Sequence, residues 1–263
     1  MPQLILMGII QGLTEFLPVS SSGHLLLLQS VFGLKNINLA VDVLLHLATL
    51  LVIIVYYFRP IQEIALRTIR SPFSLKTAEV RLFYLILLAN VPTAVIGLLL
   101  KKGCGFLFER SDVLYFTWPV MALLLFLSDR LRSRENTLPT LTVVQSLVIG
   151  ICQGIAVLPG ISRSGAAILA CLFLGLNRRD SVKLSFLIGL PAMLGAFLLE
   201  FKDIAGLPIP LLDLFIASAA AFCVGYLAIR WLLKYVNSRK LSFFGYYILF
   251  MVIVMGIKNL LLK

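Results

Sequence analysis

Apolar residues fall in long blocks along this chain, and the length of the blocks sets the architecture they predict. Six uninterrupted blocks, at about 38–58, 82–100, 113–129, 183–200, 211–231 and 243–262, are long enough to cross a bilayer as helices. A span takes about 20 residues, with a lower limit near 17. Two further stretches, about 3–33 and 142–176, are apolar but interrupted at their centres by Pro, Gly and hydroxyl residues. Each half is about ten residues long, too short to span, and reads as part of a re-entrant helix-loop-helix segment. The ten-residue alternation of a membrane β-barrel is not seen. The pattern predicts an all-α polytopic membrane protein with six transmembrane helices and two re-entrant segments, forming one membrane domain over 1–263.

The two interruptions are one pattern written twice. Residues 11–26 read QGLTEFLPVSSSGHLL and residues 153–168 read QGIAVLPGISRSGAAI. A shift of 142 positions superposes Gln11 on Gln153, Gly12 on Gly154, Ser20 on Ser162, Ser22 on Ser164 and Gly23 on Gly165. Three predicted spans separate the copies, an odd number, so the first segment enters from one face and the second from the other. That is an inverted-topology repeat, with halves at about 1–129 and 142–263. A weaker echo, NVPTAVIG at 90–97 against GLPAMLG at 189–195, supports the repeat.

Composition agrees. Sixty per cent of residues are hydrophobic and 13% are charged, about half the charge of an ordinary soluble domain. The N-terminus has no basic region, and Gln11 and Glu15 follow at once, so it does not read as a signal peptide. The net charge of +11 does not point to nucleic acid, because the basic residues cluster in short loops between apolar blocks and no nucleic-acid motif appears. With the re-entrant segments treated as non-crossing, one set of alternating loops holds 15 of the 23 Lys and Arg residues and the other holds 7, with Arg163 inside a broken stretch. The richer set belongs on the cytoplasmic side, which turns both termini outward. Crossing helices at the interrupted stretches would be the competing topology. Trp118-Pro119 is expected to mark a kink and an interfacial anchor, and the acidic residues near loops are expected to be solvated.

The chemistry concentrates in the two broken stretches. Each restarts as a helix after a serine, a favoured N-cap. The free N–H groups of such a terminus attract anions, and two termini meeting at mid-depth suit an anion with several oxygens. Arg163 in mid-membrane is costly without an anionic partner, and its planar fork suits phosphate or carboxylate. The alternative is an internal ion pair with Glu15. Glu15 itself is readable as a general base, a metal ligand or that counter-ion. Gln11 lies one turn away but is neutral, so a divalent cation such as Mg or Ca has only Glu15, phosphate oxygens and water to hold it. His24 follows Ser20, Ser21 and Ser22, and a hydroxyl beside an imidazole is the minimum for assisted nucleophilic attack. His46 shares a helix face with Asp42, either lining the pocket or making a structural hydrogen bond.

QGLTEFLPVSSSGH and PGISRSG, with DVLLHLAT between them, resemble the motifs of the undecaprenyl-diphosphate phosphatases of the bacitracin-resistance type. The similarity runs over essentially the whole chain. It implies removal of the terminal phosphate of a polyprenyl diphosphate, giving the monophosphate lipid carrier used for cell-wall polymers. It also implies a site open to the outer face of the inner membrane. By matched motif it implies that Glu15 is the acidic active-site residue, Ser21 the nucleophile, His24 the catalytic histidine and Arg163 the phosphate-binding arginine. Gln11, Ser20, Ser22, Gly23, His46, Ser162, Ser164 and Gly165 are expected to line the substrate site. The chain departs from the family pattern at Gln11, where many members have glutamate, at Ala167, where some have threonine, and at Ala48, where glycine is common. The expected partners are the isoprenoid diphosphate, membrane lipids and, as an option, a second copy of the chain, with no nucleic acid. The rival function is a transporter that flips the monophosphate carrier, since inverted repeats with broken helices also build transporters. The adjacent Ser21 and His24, which binding alone does not need, favour an enzyme.

Overall fold

A computed structural model describes residues 2–33, 39–130, 136–204, 209–238 and 240–261. Lys35, Arg132, Arg134, Arg239 and Lys263, all used in the charge count above, lie outside them. The described residues include eleven α-helices: α1 Pro2–Phe16, α2 Ser21–Phe32, α3 Leu39–Tyr56, α4 Phe58–Arg70, α5 Ala78–Gly103, α6 Leu114–Ser128, α7 Val143–Ile155, α8 Arg163–Phe173, α9 Arg178–Ile204, α10 Leu211–Ser238 and α11 Ser242–Leu261. The one β-type pairing among them is an isolated bridge between Asn136 and Leu176.

Both interrupted stretches are broken helices, as their Pro and Gly content predicts: α1 and α2 form the first, α7 and α8 the second. Four described segments are long and apolar enough to cross a membrane unaided: Ala78–Gly103, Ser111–Ser128, Arg178–Leu199 and Leu211–Val236. The block predicted at 38–58 does not end there. The chain bends by 78° after Tyr56 and continues as α4, so this pair makes a fifth span only if taken together. The last block forms α11, whose apolar stretch Ser242–Lys258 is shorter than the other four.

Small residues bring the helices of each broken pair against a long neighbour. On α1, a Cβ added to Gly8 would lie 2.1 Å from the carbonyl oxygen of Ala217 on α10, and one added to Gly12 would lie 2.4 Å from that of Ala221. On α7, a Cβ at Gly150 would lie 2.0 Å from the carbonyl oxygen of Ala89 on α5, and one at Gly154 would press on Thr93 and Ile96. Close backbone approach through small residues is how membrane helices gain contact when lipid removes the hydrophobic drive between them. The same G-x-x-x-G spacing therefore serves α1 on α10 and α7 on α5. In this packing α5 receives α7 as α10 receives α1. The two segments of the echo, NVPTAVIG and GLPAMLG, lie on α5 and α9.

The core runs from Phe16 and Val19 beside the first motif, through Trp118, Met121 and Leu125 on α6, to Ala167 and Ile168 on α8 and Leu184 and Ile188 on α9. Trp118 is fully buried. It is a core residue, not the interfacial anchor its position beside Pro119 predicts. Two of the acids near loops are also structural. Asp129 accepts from the backbone N–H groups of Leu241 and Ser242 at 2.9 and 3.0 Å, capping α11. Asp180 accepts from the N–H of Leu138 at 3.2 Å. The outward surface carries large apolar side chains along the long helices, among them Phe116, Leu198 and Phe215, as a lipid-facing surface requires.

Candidate active site

The two breaks are built alike. Proline lacks an N–H and disfavours helix at the residue before it, and α1 and α7 end shortly before Pro18 and Pro159. Serine then restarts each helix. Ser20 caps α2 by accepting from Gly23 N–H at 3.2 Å, and Ser162 caps α8 by accepting from Gly165 N–H at 3.0 Å. In each copy the capping hydroxyl also pairs with the serine two residues on, Ser20 with Ser22 at 3.2 Å and Ser162 with Ser164 at 3.1 Å. The difference lies in the backbone. Ser162 has φ −75°, whereas Ser20 has φ 68°, a region serine rarely adopts.

The two breaks interlock. The N–H of Gly160 donates to Ser20 Oγ at 3.1 Å, Ser162 Oγ donates to the Leu17 carbonyl at 3.4 Å, and Ser164 Oγ donates to the Glu15 carbonyl at 3.1 Å. Gly160 has φ +92°, and a Cβ there would strike Thr117 Oγ1 on α6 at 1.9 Å. Only glycine brings this N–H to Ser20.

Interlocking places the unlike residues of the copies side by side. Arg163 Nη2 lies 3.2 Å from Glu15 Oε1. The other carboxylate oxygen, Oε2, accepts from Ser21 Oγ at 2.5 Å and from Gln11 Nε2 at 3.1 Å, and His46 Nε2 stands 3.4 Å away. The Glu15 side chain is only 9% exposed, so a ring of donors takes the place of water around it. His46 makes a structural hydrogen bond, Nδ1 donating to the Asp42 carbonyl one turn back at 2.6 Å, and its Nε2 points toward Glu15. Its bond to Asp42 uses the backbone, while the Asp42 carboxylate accepts from Gln29 Nε2 at 3.1 Å.

The Ser21–His24 pairing that the sequence suggests is not the one found. Ser21 turns to Glu15. His24 Nδ1 lies 2.7 Å from the Ser20 carbonyl and Nε2 lies 2.9 Å from the Tyr247 hydroxyl on α11. A carbonyl oxygen only accepts, so Nδ1 carries a proton and Nε2 faces the tyrosine. Trp118 packs beside the histidine at 5.3 Å between ring centroids. Tyr247 and Trp118 carry no motif in the sequence; Tyr247 is one tyrosine in the apolar run FFGYYILF. Thr49, the last residue of DVLLHLAT, joins the site with its Oγ1 3.4 Å from Gln11 Nε2, a contact the sequence alone does not assign.

A small pocket adjoins the ion pair, with Glu15, Arg163 and Ser164 at its polar end and Ile53, Phe186 and Met193 on its apolar wall. Among the described residues no three His, Cys, Asp or Glu side chains converge as a metal cluster. The donors present do suit a cation that takes most of its ligands elsewhere. Gln11 Oε1 is buried without a partner, and rotating the amide would set that oxygen against the Glu15 carboxylate. One carboxylate and one amide oxygen are a small set, of the kind Mg²⁺ completes with phosphate oxygens and water.

Fold and site together define a helical membrane protein whose charged cluster lies at the junction of two serine-capped broken helices. Comparison with known proteins places that class. Residues 4–254 match the family described as bacitracin resistance protein BacA. A protein of Carboxydothermus hydrogenoformans named undecaprenyl-diphosphatase is 39% identical over 253 residues, covering 94% of this chain and 92% of that protein. One of the same name from Methanosphaera stadtmanae is 36% identical, covering 92% of each, and one from Moorella thermoacetica is 35% identical, covering 97% of each. The chain belongs to the bacitracin resistance protein BacA family.

Proposed function

We propose that this protein hydrolyses undecaprenyl diphosphate to the monophosphate carrier and inorganic phosphate at the junction of its two broken helices. The observation that carries the reading is the Glu15–Arg163 contact at 3.2 Å, flanked by the first turns of α2 and α8. First-turn N–H groups have no intrahelical acceptor and form an anion site. A diphosphate entering this junction exchanges the Arg163–Glu15 pair for Arg163–phosphate bonds, which a guanidinium makes in bidentate geometry. Releasing Glu15 frees it to take the proton of Ser21, already 2.5 Å away. Ser21 Oγ then bonds to the terminal phosphorus as the bond to the bridging oxygen breaks, and water later cleaves the phosphoserine. Glu15 returns that proton to the bridging oxygen of the leaving monophosphate, and Nε2 of His24 takes the proton of the water and gives it to the departing Ser21 oxygen. Phosphoryl transfer is catalysed mainly by positioning and charge stabilisation, which Arg163 and the two helix termini supply. A divalent cation held by Glu15 and the Gln11 amide oxygen would add charge neutralisation on the phosphate oxygens. The apolar wall of Ile53, Phe186 and Met193 suits the first isoprene units.

The membrane layout that supports this reading has six spans and two re-entrant segments in inverted repeat, in the inner membrane, with the site open to its outer face. The matched packing of α1 on α10 and α7 on α5 favours that layout. His46 stands ten residues before the Tyr56 end of α3, about 15 Å along the helix axis, a distance that suits a site near mid-depth.

Phosphate release from undecaprenyl diphosphate by purified protein, set beside Glu15→Ala and Arg163→Ala, tests the reading. Loss of release in both supports it; near-parental rates in both overturn it. Reconstituted vesicles that move the monophosphate across the bilayer without releasing phosphate would establish the transporter reading instead.

A further inference from the structure

Helix α4 has no part in the site, and its side chains sort into three faces. At 100° per residue, Ile64 and Thr68 fall on one face and are buried, where α4 packs on α5. A quarter turn away lie Phe58, Ala65 and Ile69, with Phe58 55% and Ile69 75% exposed. The apolar strip continues past the helix through Phe73, which is 92% exposed. That exposure is held in place, because the Ser71 N–H donates to the Arg67 carbonyl at 3.0 Å and the Tyr84 hydroxyl donates to the Pro72 carbonyl at 3.0 Å. On the third face, Arg59, Arg67 and Arg70 line an open groove with Gln62, Glu63 and Leu66. Three guanidiniums face one carboxylate, and none of the three is ion-paired among the described residues.

The 78° bend between α3 and α4 sets the orientation. If α3 runs across the bilayer, α4 runs along its surface. A helix with an exposed apolar strip beside an arginine-rich strip is the form that lies in the headgroup region, apolar side toward the acyl chains and cationic side toward phosphates. Arginine is also the side chain whose geometry fits phosphate.

We propose that α4 is a bilayer-surface helix whose groove of Arg59, Arg67 and Arg70 holds the headgroups of anionic phospholipids. Phe58, Ile69 and Phe73 seat it among the acyl chains beneath. The occupant is a phosphodiester lipid of the surrounding membrane: the apolar strip beside the groove takes the lipid's chains, which a free phosphate ion lacks. The proposal stands whether or not the junction of the broken helices is a phosphatase site.

The test uses the full-length protein in nanodiscs of equal parts phosphatidylcholine and phosphatidylglycerol, with retained lipids counted by native mass spectrometry after release. The expected result is a preference of about five- to tenfold for phosphatidylglycerol. It should be abolished in Arg59→Gln/Arg67→Gln/Arg70→Gln, largely kept in the corresponding triple lysine variant, and unchanged in Lys101→Gln/Lys102→Gln at the far end of α5. Retention of the preference by the triple glutamine variant overturns the proposal, as does equal loss in the Lys101/Lys102 variant. In a second measurement, Phe73→Trp should add fluorescence that brominated acyl chains quench. Added fluorescence that they do not quench removes α4 from the bilayer and also overturns it. Each variant is checked for phosphate release, which the triple glutamine change should leave intact.

Discussion

The hydroxyl of Tyr247 lies 2.9 Å from Nε2 of His24, and the two rings stack in nearly parallel planes with centroids 5.7 Å apart. They come from opposite ends of the chain, 223 residues apart. Because Nδ1 is committed to the Ser20 carbonyl, Nε2 is the histidine's exchangeable face, and Tyr247 controls it. Tyr247→Phe keeps the stack and removes the hydrogen bond. Its kcat/KM for phosphate release should fall about tenfold, or about 1.4 kcal/mol, with little change in thermal stability. In a His24→Ala background the same change should have no further effect. Steady-state kinetics on the four proteins of this cycle check both outcomes.

Glu15 and Arg163 should be strongly coupled. Removing either alone leaves a poorly solvated charge, which costs about 3–5 kcal/mol for a buried pair and less here because the Arg163 side chain is 26% exposed. Glu15→Gln/Arg163→Gln should therefore melt closer to the parent than the sum of the single variants, while remaining inactive. Melting in detergent, with phosphate release measured alongside, gives the coupling energy. Arg163→Lys keeps the charge but not the fork, and should retain thermal stability while losing most of its kcat/KM.

Ser20 holds its left-handed backbone because its hydroxyl meets two backbone N–H groups, those of Gly23 and Gly160. Ser20→Ala leaves the backbone strain in place and deprives both donors, so it should cost about 2–4 kcal/mol. Ser20→Gly loses the same bonds but relieves the φ penalty, and should be the milder change. Melting temperatures of the two variants rank them; alanine melting above glycine would contradict the account.

Gly8, Gly12 and Gly150 should not accept even a methyl group. Gly150→Ala drives a Cβ to 2.0 Å from the Ala89 carbonyl oxygen, and backbone has little room to yield, so a loss of at least about 1–3 kcal/mol is expected. Gly103→Ala and Gly256→Ala, where a Cβ meets nothing within 4 Å, should fall within about 0.5 kcal/mol of the parent. Thermal melts with size-exclusion profiles separate the two groups.

The breaks, the serine caps and the meeting of Glu15 with Arg163 were legible because each follows from a local rule: proline ends a helix, serine starts one, and an unpaired intramembrane charge seeks its opposite. What was illegible depends on packing. The turn into α4 was hidden because the apolar block simply stops at Phe58 and a charged segment of ordinary composition follows. Tyr247 was hidden because nothing in an aromatic run marks which hydroxyl reaches a histidine on another helix. Ser21 lies near both His24 and Glu15 in sequence, and only the left-handed turn at Ser20 aims it at the carboxylate. The G-x-x-x-G pairs of α1 and α7 were present in the sequence without their partners on α10 and α5.

The packing of α1 along α10 has a consequence for how the protein is made. About 195 residues separate the end of α1 at Phe16 from the start of α10 at Leu211. At typical synthesis rates that interval lasts about 10–40 s. Throughout it the first motif has emerged from the ribosome while Gly160, Arg163 and the surface that receives Gly8 and Gly12 are still unmade or newly arriving. The nascent chain thus carries a carboxylate and two broken half-helices with no place to rest until its second half is translated, which makes this segment the natural client of whatever shelters incomplete helices at the insertion site.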